Sequence, residues 1–249
     1  MKISLITPTY NSSQTLARTI ESVIAQNYSD LEYIIVDGAS TDNTQDIVQQ
    51  YTGKLPITFI SEPDNGIYDA MNKGVLRATG DVIGILNSDD FYDTHSVLLD
   101  IAHAFEDRNL DAVYGDITYF NTDTKKITRY WKAGQYSESK LDNGWTIPHP
   151  ALFVRKSVYE RYGLFRTDYK IASDYEFILR ILKIHKISIL YIPEVFVRMY
   201  DGGTSAHNIH QRKIGWQELK KAWTDNLLSI PKFFIIRRVL FKLIQFLKK

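Results

Sequence analysis

Residues 80–90 read GDVIGILNSDD. Val82 to Leu86 is an apolar run of strand length, entered through Gly80-Asp81 and left abruptly at Asn87-Ser88-Asp89-Asp90. The run is continuous rather than alternating, as in a strand covered on both faces. Two adjacent carboxylates then stand where the strand emerges, and open α/β sheets bind ligands just beyond the carboxyl ends of their strands. Carboxylates held that close repel each other unless a cation or a proton lies between them. Paired hard oxygens suit Mg²⁺ or Mn²⁺ shared with a substrate's phosphates. The same residues also suit a solvated turn that caps a helix near Asp93, and the stretch alone leaves both readings open.

Towards the N-terminus the pattern repeats. Ile3 to Thr7 is a strand stopped by Pro8 and followed by the loop Thr9-Tyr10-Asn11, after which Leu16, Ile20, Val23 and Ile24 fall at helical spacing. Glu32 to Val36 is a second strand, and the segment from Asp37 to Thr44 is dense in turn formers and helix-capping residues. Ile57 to Ser61 is a third, closed by Glu62-Pro63-Asp64-Asn65-Gly66, and Ala70, Met71, Gly74, Val75 and Ala78 mark the next helix. Strands alternating with helices call for a parallel sheet with right-handed crossovers, so the polar cluster after each strand lines one sheet edge as a single cleft.

Downstream of Asp90 the pattern changes. A helix through Leu98, Ile101 and Phe105 leads to a strand at Ala112–Tyr114 and a hairpin of Ile117–Phe120 with Ile127–Trp131. Residues 132–150 read as a long loop, a length more typical of functional segments than of connections. Ala151–Val154 is strand-like, Asp174–Ile184 is a helix, and Ile187–Tyr191 and Val195–Tyr200 are two strands around Pro193.

The chain has 249 residues, 44% of them hydrophobic, which suits one large domain or one domain with an appendage. A net charge of +1 gives no reason to expect nucleic acid as a partner. There are no cysteines, so disulfides and thiolate metal sites are excluded. Met1-Lys2 leads at once into a strand, and the expectation is that no secretory signal peptide is present. No uncharged apolar run of about 18 residues occurs. Neither the dinucleotide fingerprint G-x-G-x-x-G nor the phosphate loop G-x-x-x-x-G-K-[ST] is found. Phosphates would therefore be held by the carboxylate pair through a metal, by Lys73, or by backbone N–H groups near Gly66. Asp37, at the end of the second strand, can accept from a base N–H or a ribose hydroxyl, with the Tyr10 ring covering the base; it can equally order the Ser40-Thr41 turn. Asn72 and Lys73 lie one turn inside a helix and also fit a solvated face.

Four segments together, TPTYN (7–11), VDGASTDNT (36–44), EPDNGIYDAMNKG (62–74) and GDVIGILNSDD (80–90), resemble the family 2 glycosyltransferases of the GT-A fold. The likeness is greatest to the bacterial branch that builds exopolysaccharide, colanic acid or lipopolysaccharide. It continues more loosely through IPHPALFVRK (147–156) and ASDYEFILRI (172–181). The resemblance implies an α/β fold: a Rossmann-like, mostly parallel central sheet flanked by helices, with a C-terminal helical extension. The expected parts are a nucleotide-sugar half (1–115), an acceptor half of the same domain (116–205) and a basic amphipathic helical extension (206–249).

By that resemblance Pro8, Tyr10, Asp37, Asn72 and Lys73 belong to the nucleotide pocket. Asn87-Ser88-Asp89-Asp90 stands where the family has its D-x-D metal motif, with Asn87 in place of the first acid. Asp89 and above all Asp90 are then the ligands of Mn²⁺ or Mg²⁺, and His207 is a further candidate ligand that also fits a solvated loop. Asp174 occupies the position of the family's catalytic base, although Ser173-x-x-Glu176 equally fits a helix capping box. The implied enzyme is an inverting, metal-dependent transferase. It moves a sugar from a nucleotide diphosphate donor, a UDP-sugar, to a sugar hydroxyl on a lipid-linked intermediate. Trp131, Tyr136 and Trp145 are the expected acceptor contacts. A sugar nucleotidyltransferase would want a Gly-rich basic loop after the first strand, which TPTYNSS lacks. A non-catalytic nucleotide-sugar sensor would have lost the base or the acidic pair.

The segment 231–249, PKFFIIRRVLFKLIQFLKK, has six cations and no acid. On a helix Arg238, Lys242, Gln245 and Lys249 form one stripe, opposed by Phe233, Ile236, Leu240, Leu243, Ile244 and Leu247. Such a helix either packs its apolar face on the domain or lies in the interface of an anionic leaflet. The expectation is a cytoplasmic protein bound peripherally to the inner membrane.

Overall fold

The computed structural model describes residues 1–121, 123–200 and 209–246. The first half alternates as its sequence pattern requires: β1 (Ile3–Thr9), α1 (Leu16–Ile24), β2 (Leu31–Asp37), α2 (Thr44–Gln49), β3 (Ile57–Ser61), α3 (Ile67–Arg77) and β4 (Val82–Ile85). β3, β2, β1 and β4 are parallel neighbours in that order, with Thr9 opposite Asp37 and Ile6 opposite Ile85. The carboxyl ends of these strands therefore share one edge, where the Tyr10, Asp37 and Asn87–Asp90 loops emerge.

After β4 come β5 (Phe91–Tyr92), α4 (Val97–Ala104), β6 (Ala112–Asn121), β7 (Lys126–Trp131), α5 (Glu138–Asp142), β8 (Leu152–Arg155), α6 (Lys156–Tyr162), α7 (Ser173–Leu179), β9 (Ile189–Tyr200), α8 (Ile209–Asp225) and α9 (Phe234–Ile244). The sheet continues β4-β8-β6-β9-β5, and β7 pairs with β6. Antiparallel pairing takes over beyond β4, although β6 and β9 run parallel. The sheet is thus an α/β sheet whose parallel part is built by the first four strands. The expected boundary at 115/116 falls inside β6, which is a single strand and not a short strand followed by a hairpin arm. Likewise β9 runs through Pro193 as one strand, its irregularity absorbed by register shifts opposite Tyr114–Ile117.

Alternate side chains on the buried strands feed two cores. Ile3, Leu5, Tyr33, Ile35 and Val82 pack with Leu16, Ile20 and Leu98 on one face. Ile6, Ile34, Val36, Ile83 and Ile85 pack with Met71, Val75, Phe177 and Trp223 on the other. Burial on both faces is why those strands read as unbroken apolar runs. The long segment 132–150 is ordered around Trp145, which is buried and donates its indole N–H to Ala133 O at 2.6 Å. Expected as an acceptor platform, Trp145 is instead a core residue.

Helix α9 sits on the domain the unusual way round. Arg238, Lys242 and Gln245 line its contact with residues 144–146, whereas Phe233, Ile236, Leu240 and Leu243 are 55–68% exposed. Arg238 and Gln245 of the polar stripe turn towards the domain, with Lys242 at its edge, and the apolar face, the one that could have packed on the domain, points outward; Lys249 lies outside the described residues. Only Phe234, against Tyr175 and Trp223, is a deeply buried apolar anchor among its described side chains. The docking is permitted by Gly144: its φ is +82°, and a Cβ there would lie 2.6 Å from the backbone N of Arg238.

Candidate active site

Pro8 is the buried end of β1 opposite Val36, and the Tyr10 ring beyond it is 62% exposed at the mouth of the cleft. Asp37 is 1% exposed, and its carboxylate is filled from inside. Oδ2 accepts from Ser40 N at 2.9 Å and Ser61 Oγ at 2.7 Å, while Oδ1 accepts from Ser40 Oγ at 2.5 Å. Asp37 therefore does order its turn. Asn11 and Ala39 both adopt left-handed backbone (φ 49° and 59°), and Asn11 ties the two loops together by donating N–H to Ser40 Oγ and accepting from Thr41 N. Gly38 leaves space that a side chain would fill, since a Cβ there would come within 2.5 Å of Asp64 Oδ2 and 3.4 Å of the Tyr10 ring. Asp64 and Tyr10 thus meet over Gly38, next to Asp37, a grouping that three separate loops make and that no local spacing reveals.

The acidic loop is clamped by α1. Thr19 Oγ1 donates to the carbonyls of Ser88 (3.0 Å) and Asp90 (2.7 Å), and Arg18 donates to Asp89 O at 3.0 Å. Asp90 is 1% exposed; its Oδ2 accepts from the Asn87 amide at 3.0 Å, but Oδ1 has no partner. Asn87 Oδ1 is likewise buried and unpartnered. Burial, and then the neighbouring Asp89, pushes the Asp90 carboxyl well above its usual range, against the opposing pull of Asn87, the Tyr200 backbone and Arg18. Burial also raises Asp89, with Arg18 opposing. Two orphaned hard oxygens beside a second carboxylate fit a divalent cation whose remaining ligands come from phosphate and water. No group of three or more His, Asp or Glu suited to a metal occurs among the described residues, and His207 lies outside them.

Asp174 stands in the first turn of α7, half-buried, with Oδ1 3.2 Å from the Tyr68 hydroxyl, which also donates to Ile171 O at 2.7 Å. The capping box expected of Ser173 and Glu176 does not form: Ser173 Oγ has no partner, and Glu176 pairs with Arg180 at 2.9 Å. The helix is capped from outside instead. Glu218 of α8 accepts from the backbone N–H groups of Lys170 (2.7 Å), Ile171 (2.9 Å) and Ala172 (2.9 Å). Glu218 thus fixes the segment that leads into α7, and the Asp174 carboxylate takes no part in holding it.

Two of the residues expected at the nucleotide serve the scaffold. The Asn72 amide is buried and makes a two-way bond with the backbone of Phe165, at 2.8 and 3.0 Å. Lys73 donates to Pro63 O at 2.7 Å and pairs with Glu62 (3.3 Å) and Asp69 (3.7 Å). Arg18, Thr19, Asp64, Tyr68 and Glu218 escaped the sequence reading because each acts across a long separation.

The sequence pattern described as Glycosyl transferase family 2 matches residues 4–164. A PGL/p-HBAD biosynthesis glycosyltransferase of Mycobacterium bovis is 32% identical over 180 residues, 71% of this chain and 68% of that protein. The chondroitin synthase of Pasteurella multocida is 29% identical over 74% of this chain, which spans only 19% of that much longer protein. Among solved structures, residues 1–349 of S. aureus TarS with UDP-GlcNAc superpose with a TM-score of 0.70 at 19% identity, covering 97% of this chain and 74% of that one. A longer TarS chain matches over 41% of its length. The mannosyltransferase PcManGT of Pyrobaculum calidifontis, solved with GDP-Man and Mn²⁺, gives 0.68 at 18% identity, covering 96% of this chain and 68% of that one.

Proposed function

Since the chain belongs to glycosyl transferase family 2 and so transfers a sugar from a nucleotide-sugar donor, we propose that it is an inverting, divalent-cation-dependent enzyme that glycosylates a sugar hydroxyl of a lipid-linked intermediate. The pair of buried, unpartnered oxygens on Asn87 and Asp90 carries the cation part of this reading. Mn²⁺ or Mg²⁺ bound there, with Asp89 beside it, would offset the charge that develops on the departing diphosphate. The space over Gly38, between Tyr10 and Asp64 and next to Asp37, receives the nucleoside, UDP being the fitting donor, with the exposed Tyr10 ring over the base. Lys73 stands behind the loop at Pro63 and can turn towards the diphosphate.

Asp174 accepts the proton of the acceptor hydroxyl as that oxygen bonds to the anomeric carbon. The bond from that carbon to the diphosphate oxygen breaks on the opposite face, so the configuration inverts. The Tyr68 hydroxyl fixes one carboxylate oxygen and leaves the other for the proton.

No described helix is long and apolar enough to cross a membrane. The outward apolar face of α9 instead supports peripheral attachment to the cytoplasmic side of the inner membrane, with the exposed Lys232 and Arg237 beside it for anionic headgroups. Each half-exposed side chain taken up by the interface contributes about 1 kcal/mol.

The deciding experiment incubates the protein with a panel of UDP- and GDP-sugars and follows slow donor hydrolysis with and without EDTA. Cation-dependent turnover of one donor, lost in Asp90→Asn, is expected; full turnover in EDTA would remove the cation from the mechanism. Flotation with phosphatidylglycerol vesicles tests attachment, which Leu240→Glu with Leu243→Glu should abolish.

A further inference from the structure

Between α9 and the loop at Gly144–Thr146 lies a small cavity of about 10 Å³, room for one oxygen-sized group. Four residues that line it carry a buried polar atom without a partner: Trp131 Nε1, Thr146 Oγ1, Arg238 Nε and Gln245 Nε2. Thr146 and Gln245 are each 5% exposed. The orientation of the Gln245 amide is fixed, because its Oε1 accepts from Arg129 Nε at 2.8 Å, so Nε2 is the atom left over. Three of the four are obligate N–H donors, and the threonine hydroxyl can donate as well.

A water molecule accepts only two hydrogen bonds and would leave donors unmet, whereas the oxygen of an anion brings charge and accepts several. The surroundings are cationic. Arg238 lies over the Tyr175 ring at 4.9 Å, and Lys242 stands at the exposed rim of the cavity. Among the described residues no carboxylate is within salt-bridge distance of either. Burial lowers both cations from their usual range, Lys242 to about 8 with help from Arg238 and Arg129, and the Asp174 charge opposes the shift in both.

We propose that this junction binds one phosphate group, an oxygen of which enters the cavity among Trp131, Thr146, Arg238 and Gln245 while Lys242 meets the rest at the rim. Arg238 lies over the ring of Tyr175, the neighbour of Asp174 in α7, which makes it the phosphate of the acceptor, an assignment that rests on Asp174 being the base. The bound anion would bridge helix and domain where side chains alone leave donors unmet. Attachment of α9 to a bilayer would bring the site to the level of lipid phosphates.

The test uses the full chain in EDTA, which silences a cation-dependent donor site. Inorganic phosphate, titrated by ³¹P line broadening, should bind saturably, and Lys242→Met should weaken it about tenfold, the loss of one charge-assisted contact. Gln245→Glu keeps the shape but points a carboxylate oxygen at the anion, and should abolish binding while thermal melts show a folded protein. In the second arm, vesicles containing phosphatidic acid are compared with vesicles of equal charge containing phosphatidylserine. An approximately tenfold preference for the phosphomonoester, lost in Lys242→Met, identifies a lipid-borne phosphate. Phosphate binding without that preference identifies a soluble source for the same site. Absence of phosphate binding, or binding unchanged in both variants, overturns the proposal. Failure of the base assignment would appear only in the transfer kinetics of Asp174→Asn, which should still bind phosphate.

Discussion

Two carboxylates, Glu32 half-buried and Asp90 buried, stand at opposite ends of the same parallel strands and are treated in opposite ways. Glu32, at the entry of β2, is fully engaged: it accepts from Ser4 Oγ (2.5 Å), Thr79 N (2.7 Å), Thr79 Oγ1 (2.5 Å) and Lys2 Nζ (3.1 Å). Burial pulls its carboxyl upward, but those bonds outweigh it and bring it down to about 2. Asp90, past the exit of β4, has one oxygen held by Asn87 and the other, among the described residues, without a hydrogen-bond partner, and is pushed the other way. Glu32 clasps the starts of β1, β2 and β4 to one another, and the charge adds to stability. At Asp90 the charge is disfavoured until a cation or a proton relieves it. Glu32 serves the scaffold, whereas the unengaged oxygen of Asp90 is what supports a ligand there.

The contrast can be broken most forcefully at Asp90. Asp90→Asn should lower donor turnover roughly 10³-fold or more. It should also raise the unfolding temperature of the cation-free protein by about 2–4 °C, since an underpaired buried charge is gone. Parallel assays of hydrolysis and melting check both signs, and a lower melting temperature would mean that the charge is supported after all. Asp174→Asn comes next: kcat should fall roughly 10²- to 10⁴-fold with donor affinity retained, as read by calorimetry with Mn²⁺. Turnover within a few-fold of the parent would remove Asp174 as base.

Glu218→Gln keeps an acceptor but loses the charge that holds three N–H groups, so α7 should sit less firmly. A drop in kcat of about tenfold with little change in donor affinity is expected. The smallest effect on activity belongs to Glu32→Gln: turnover at 25 °C unchanged, stability at neutral pH lower by about 1–2 kcal/mol. The native pKa lies below the unfolded value of 4.5. The stabilisation is therefore complete above that pH and is lost as pH falls towards about 2. Acid unfolding curves of the variant should be flatter across that window.

What the sequence disclosed follows the range of the forces involved. The parallel half was legible because Val82–Leu86 and its counterparts are short, apolar and punctuated by turns, all local signals. Asp89 and Asp90 were legible for the same reason. Pro193 argued for two strands, but β6 supplied a long partner that bends around it, a tertiary contact that outweighs a local break. The pairing of Ser173 with Glu176 was local and plausible, yet Arg180 and Glu218 outcompete it from one turn away and from another helix. The periodicity of α9 was read correctly, but periodicity states only that a helix has two faces. Which face meets the protein was decided by Phe234 and by the bonds of Gln245 to Arg129 and of Arg238 to Gly144 O, partners that no window around α9 contains.

Gly144 touches the backbone of Arg238, 94 residues away, through the absence of a side chain. Any β-carbon at 144 would be strained by the positive φ and would also push α9 off its seat. The two positions therefore have linked histories: relatives that keep the helix docked in this manner should keep glycine at 144, whereas relatives without the helix are released from it. An alanine appearing there first would be a mutation felt in another part of the chain, so loss of the helix should precede loss of the glycine.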